Sequence, residues 1–181
     1  GSINDKVIGI NQDGFYNSLT VSITGVTIRW GHNTVPDGDS SFAYTGGGVD
    51  VFMTGSGNAI SITDSIITGN ENVNSYGGGL NIDSSNGGLS AGTVTLLRVT
   101  VSGNQSRQWG GGINLFSDVH NVVIDNCVIQ NNVTTGLSAL NQAQGGGVNV
   151  RHSFGGTVTI QNSTTISGNT GVDAGGGVSV S

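Results

Sequence analysis

Acid–base cleavage of a glycosidic bond needs two carboxyl groups held about 5 to 10 Å apart, so the acidic residues are the first to place. The chain of 181 residues carries 11 of them, and Glu71 is the sole glutamate. Asp50, Asp64, Asp83 and Asp125 fall at different positions of the internal repeat, so no two are expected to stack on adjacent turns of chain. Asp37 and Asp39 form the closest acidic pair; flanking Gly38, they read as a loop turn, with a calcium or catalytic site as the alternative. His32, His120 and His152 lie far apart in expected loops, without metal-ligand spacing. Arg29, Arg98, Arg107 and Arg151 are scattered over separate repeats, whereas a calcium-assisted lyase wants a base beside its metal. Cys127 can form no internal disulfide and has no neighbouring His, so a small, buried, inert thiol is expected. These residues supply no catalytic or metal set, and no cofactor is expected beyond the calcium alternative.

Aromatic residues give the positive signal. Tyr76 and Trp109 each stand immediately before a Gly triplet, and Phe52 and Phe116 occupy one equivalent outward position. Exposed rings at such places can stack on sugars or anchor a protein partner, and these four are the candidate ligand-binding residues. Packing beneath neighbouring loops is the competing expectation.

The elements that must position them follow from the repeat. Gly triplets begin at Gly46, Gly77, Gly110, Gly145 and Gly175, at spacings of 31, 33, 35 and 30 residues. Between them a second block recurs as ISITDSIITGN, VTLLRVTVSGN, VVIDNCVIQNN and VTIQNSTTISGN. Such a period marks a stacked solenoid. Apolar residues alternate with polar ones over four to six residues, a period of two that excludes helical repeats. Val21, Ile60, Val94, Val122 and Val158 should form one aliphatic column, and Val49, Leu80, Ile113, Val148 and Val178 another. Asp50, Asn81, Asn114, Asn149 and Ser179 should then point outward. Three strands per coil are expected, with residues 3–17 as the tail of a preceding coil, an apolar run from Val7 to Ile10 followed by a turn at Asp13-Gly14. Asn70, Asn104, Asn132 and Asn169 close the third strand and should form an inward ladder, with Gly31 in the first coil. The expected fold is all-β: one domain over residues 1–181, a single-stranded right-handed parallel β-helix of about five coils.

Composition narrows the partners. A net charge of -6 with five Lys and Arg argues against nucleic acid and anionic membranes. No apolar run approaches the ~18 residues of a membrane helix, so this segment is not expected to insert. The sequons at Asn104 and Asn132 are closed by the inward ladder, whereas Asn162 sits at an outward corner. The ends lack obvious caps and suggest an excised segment of a longer repeat protein, stacking on further coils or on itself.

GGGVDV followed by ISITDSIITGN, with LTVSITGVTIRWG ahead of it, resembles the Gly-rich repeats of polymorphic outer-membrane proteins and related bacterial surface β-helix adhesins. That resemblance, from Leu19 onward, implies a secreted or cell-surface passenger without a fixed active site. The expected role is a non-catalytic stalk or adhesin that binds a glycan or protein receptor through its edge loops. Pectin-degrading enzymes share the fold, so a polysaccharide lyase or glycoside hydrolase is the alternative. Ice binding by outward Ser22, Thr24, Ser61, Thr63, Thr95 and Thr159 is a further one, although Leu97, Val123, Asp125 and Gln161 break the grid.

Overall fold

Short alternating strands cannot bury a face alone, and here each is stacked on its counterparts. The computed structural model describes residues 6–10, 18–34, 46–53, 57–83, 92–116, 121–136, 144–151 and 156–180. The first sheet holds six strands, Ile8–Ile10, Val49–Phe52, Leu80–Asp83, Ile113–Phe116, Val148–Arg151 and Val178–Val180. Five strands form the second, Thr20–Thr24, Ala59–Thr63, Thr93–Leu97, Asn121–Asp125 and Thr157–Gln161. The third comprises Thr27–Arg29, Ile66–Thr68, Thr100–Ser102, Val128–Gln130 and Thr165–Ser167. All neighbours are parallel and follow coil order, which makes the chain a parallel β-helix.

A fourth sheet corrects the expectation of three strands per coil. His32–Asn33, Glu71–Asn72, Gln105–Ser106, Val133–Thr134 and Thr170–Gly171 pair in parallel directly after the Asn corner. Two residues are too few to show a period, and the buried positions here are the polar Asn33, Asn72, Ser106 and Thr134. His32, expected in a loop, belongs to this sheet, as does Glu71.

Aliphatic side chains from the first three sheets converge in one core. Ile60, Ile62, Ile67, Val94, Leu96, Val101, Val122, Ile124 and Ile129 are buried in it with Val49, Leu80, Ile113 and Val148. The aligned registers are those expected, for example Ile60 beside Val94 beside Val122. Neighbouring coils approach closely at the triplets. A Cβ on Gly78 would strike the carbonyl oxygens of Gln105 and Gly111, and Gly77 has a φ of 65°. Only glycine fits both demands.

Asn70, Asn104, Asn132 and Asn169 form the expected ladder. Asn70 Nδ2 donates to Asn104 Oδ1 at 3.0 Å and to the Ile28 carbonyl at 3.1 Å. Asn104 Oδ1 also accepts the Asn70 backbone N–H at 3.0 Å, and the pattern repeats to Asn132 and Asn169. Each amide thus serves backbone groups of the preceding coil that would otherwise be unpaired.

The outward residues of the first sheet turn away from the core as expected, but they are covered. Asp50, Asn81, Asn114 and Asn149 lie opposite the core columns, yet none is more than 1% exposed. The turn leading into each triplet folds back over them, so closely that a Cβ on Gly46 would lie 2.7 Å from that of Asp50. They form a second ladder: Asn149 Nδ2 donates to Asn114 Oδ1 at 2.9 Å, Asn114 to Asn81 at 2.8 Å, and Asn81 to Asp50 at 2.9 Å. Lys6 Nζ closes the series on Asp50 at 2.9 Å. At its other end the buried Asn149 Oδ1 finds no donor beside Ser179.

Two measurements test these ladders. Asn104→Ala removes the acceptor of a buried N–H and should lower stability by about 3 kcal/mol in urea unfolding. Ser179→Asn supplies the missing donor to Asn149 and should raise stability by about 1 kcal/mol; a decrease would contradict the ladder's stated direction.

Candidate functional site

Three of the four candidate aromatic residues, Tyr76, Trp109 and Phe116, converge on the outer face of the first sheet or beside it, but their faces are turned to one another. Tyr76 and Trp109 stack with centroids 4.6 Å apart, and Phe116 lies parallel to both at 6.1 and 5.7 Å. Trp109 and Phe52 are buried, whereas Tyr76 and Phe116 are half-buried. Arg151, one coil on in the Phe116 position, lays its guanidinium over Trp109 at 4.8 Å and Phe116 at 5.2 Å. The arrangement offers ring edges and an exposed cation instead of an open aromatic platform. Arg151 is inconspicuous in the sequence because its column reads Phe, Asp, Phe, Arg, with no repeating chemistry.

The corner between the second and third sheets gathers charge. Arg98 donates to Asp64 through Nε at 2.6 Å and Nη2 at 2.8 Å. One coil further, Asp125 accepts from Gln161 at 2.8 Å, Asn162 at 2.6 Å and Asn126 at 2.9 Å. Arg98 holds Asp64 below the ordinary carboxylate range, chiefly by its hydrogen bond, and the amides of Asn162 and Gln161 do the same for Asp125. Both groups are therefore ionised near neutrality and poorly suited to donate a proton. Asn162, the outward sequon, spends its amide on Asp125, while Asn104 and Asn132 are buried.

The remaining candidates are dispersed. Asp37, Asp39, His120 and His152 lie outside the described residues. Among the described residues no three His, Cys, Asp or Glu side chains gather around one point. His32 Nδ1 sits 3.0 Å from Glu71 Oε2, and Gln105 Nε2 donates to Glu71 Oε1 at 2.8 Å. Cys127 is 1% exposed, and its thiol donates to the Asp125 carbonyl at 3.2 Å; burial raises its pKa. In the last coil Thr164 fills this position, because that corner is one residue longer. Of the Ser/Thr grid, Thr24 and Thr63 bond each other at 2.9 Å, and Leu97, Asp125 and Gln161 continue their column.

One exposed aromatic residue lies outside the set expected from the sequence. Trp30 is 68% exposed and holds a φ of 65°, in a corner column otherwise occupied by Gly69, Gly103, Asn131 and Gly168. A left-handed conformation costs a non-glycine residue roughly 1–2 kcal/mol. The readable signal is a Trp where the remaining coils place Gly or Asn.

No family model matches the chain, and searches of curated proteins and of solved structures gave no match.

Two outcomes follow. Cys127 should react with a thiol reagent only after unfolding, so native protein near neutral pH stays unlabelled while denatured protein labels fully. For Asp64 and Asp125 the folded pKa is lowered, so their stabilisation is present above the ordinary carboxylate value near 3.8 and is lost as pH falls through the folded values. The melting temperature should drop on that acid limb, and Arg98→Ala should flatten it.

Proposed function

We propose that this β-helix is a non-catalytic module of a secreted or cell-surface protein, a stalk or adhesin whose edges bind a glycan or protein receptor. The observation that carries the reading is that four of the described carboxylates are engaged within the fold. Asp50 ends a ladder against Lys6, Asp64 pairs with Arg98, Asp125 collects three amides, and Glu71 lies between His32 and Gln105. A hydrolase needs one carboxyl raised to hold its proton near neutrality, and the two shifted Asp residues move the other way.

The Gly-rich repeats support the surface assignment through their resemblance to those of polymorphic outer-membrane proteins and related bacterial surface adhesins. On the ring stack, the exposed Arg151 guanidinium suits a carboxylate on the receptor, since stacking occupies its face and leaves its N–H edge for the partner. Binding without product release on an array of acidic and neutral glycans is the expected result. Release of reducing ends or of unsaturated uronates from acidic polysaccharide would overturn it in favour of an enzyme. Binding of an acidic glycan through the stack should weaken about tenfold in Arg151→Ala, with an unchanged melting temperature.

A further inference from the structure

The geometry points to a second binding site, for a neutral pyranose, at the corner between the third and fourth sheets, with Trp30 as its stacking platform. The six-membered ring of the indole reaches over Gly69, where an added Cβ would lie 3.3 Å from it. On the next coil Gly103 is bare: a Cβ there would meet no atom within 4 Å. Asn131, one coil further, directs its amide over Gly168 and away from Gly103. The indole therefore stands at one end of an open stretch of backbone.

Hydrogen-bonding side chains border that stretch on both sides. Along the third sheet Ser102 Oγ donates to Thr68 Oγ1 at 3.1 Å, with Arg29 beside Thr68 on the first coil. Along the fourth, His32, Glu71 and Gln105 form a linked row at 3.0 and 2.8 Å. Each Glu71 oxygen has one such partner and retains a lone pair for a sugar hydroxyl. Fixed polar rows beside an exposed indole match a pyranose, which has an apolar C–H face and a rim of hydroxyls. No residue of the Tyr76–Trp109–Phe116 stack takes part, so this site stands independently of Arg151.

Trp30→Gly provides the test, because Gly69 and Gly103 show that glycine suits this corner and the variant should fold at least as stably. The intact 181-residue chain is titrated with neutral hexasaccharides built of glucose, mannose, xylose or N-acetylglucosamine, followed by calorimetry and indole fluorescence. The expected result is saturable binding to at least one of them, persisting at about 1 M salt because no net charge is engaged. Trp30→Gly should weaken it by about tenfold or more at unchanged melting temperature, while Arg151→Ala leaves it intact. No saturable binding to any of the four, binding abolished by salt, or affinity indifferent to Trp30→Gly would each overturn the proposal. A fall in melting temperature for Trp30→Gly with no loss of affinity would assign the residue to the fold. Failure of this site with Arg151-dependent binding preserved would leave the adhesive reading standing.

Discussion

Everything in this solenoid depends on neighbouring coils closing at the same height, because parallel strand pairing at about 4.8 Å admits no slack between them. Each turn of chain must offer its backbone donors and acceptors in register with the turn before it. Where strands run straight, the sheets do this. Where the chain turns, much of the backbone ladder continues, as from Gly69 N–H to the Ser102 carbonyl, but the Asn70 N–H and the Ile67 carbonyl need different partners. Asn at the corner after the third strand supplies both, one amide oxygen taking a backbone N–H and one amide nitrogen giving to a carbonyl. The apolar columns contribute the driving force, but the corners set the register within which they can form.

This division determines which parts of the fold are legible in the sequence. Columns such as Ile62, Leu96 and Ile124 are legible because aliphatic residues alternating at period two mark strands with one buried face, and the Asn corner is legible because one residue type recurs at one place. Asp50, Asn81, Asn114 and Asn149 are half legible. Their direction away from the core follows from alternation, but polarity suggests contact with water, and only the returning turn reveals that they are covered. The fourth sheet is not legible, since two-residue strands with buried Asn, Ser or Thr carry no hydrophobic signature. The ring stack can be located by position, but a sequence cannot say whether rings face solvent or each other. Trp30 shows the opposite difficulty, because its significance lies in departing from the repeat.

The two side-chain ladders are oriented by different physics. In the corner ladder backbone geometry decides: each Oδ1 meets a backbone N–H of the preceding coil, so each Nδ2 must turn toward the next Asn. In the covered ladder no backbone bond fixes the amides, and the deciding group is Asp50. An ionised carboxylate can only accept, so Asn81 has to donate to it, which presents Asn81 Oδ1 to Asn114 and in turn Asn114 Oδ1 to Asn149. One charge, neutralised by Lys6, thereby sets the direction of three amides over as many coils. The same logic accounts for the lone acceptor at the far end. A series of donors all turned toward Asp50 must finish with an unfilled oxygen, and Ser179, whose hydroxyl turns to Gln144, leaves Asn149 in that state. Replacing Asp50 by Asn would keep the shape of the column but remove the reason for its direction, so the conspicuous carboxylate of the first Gly-triplet strand is accounted for by order within the fold and needs no catalytic role.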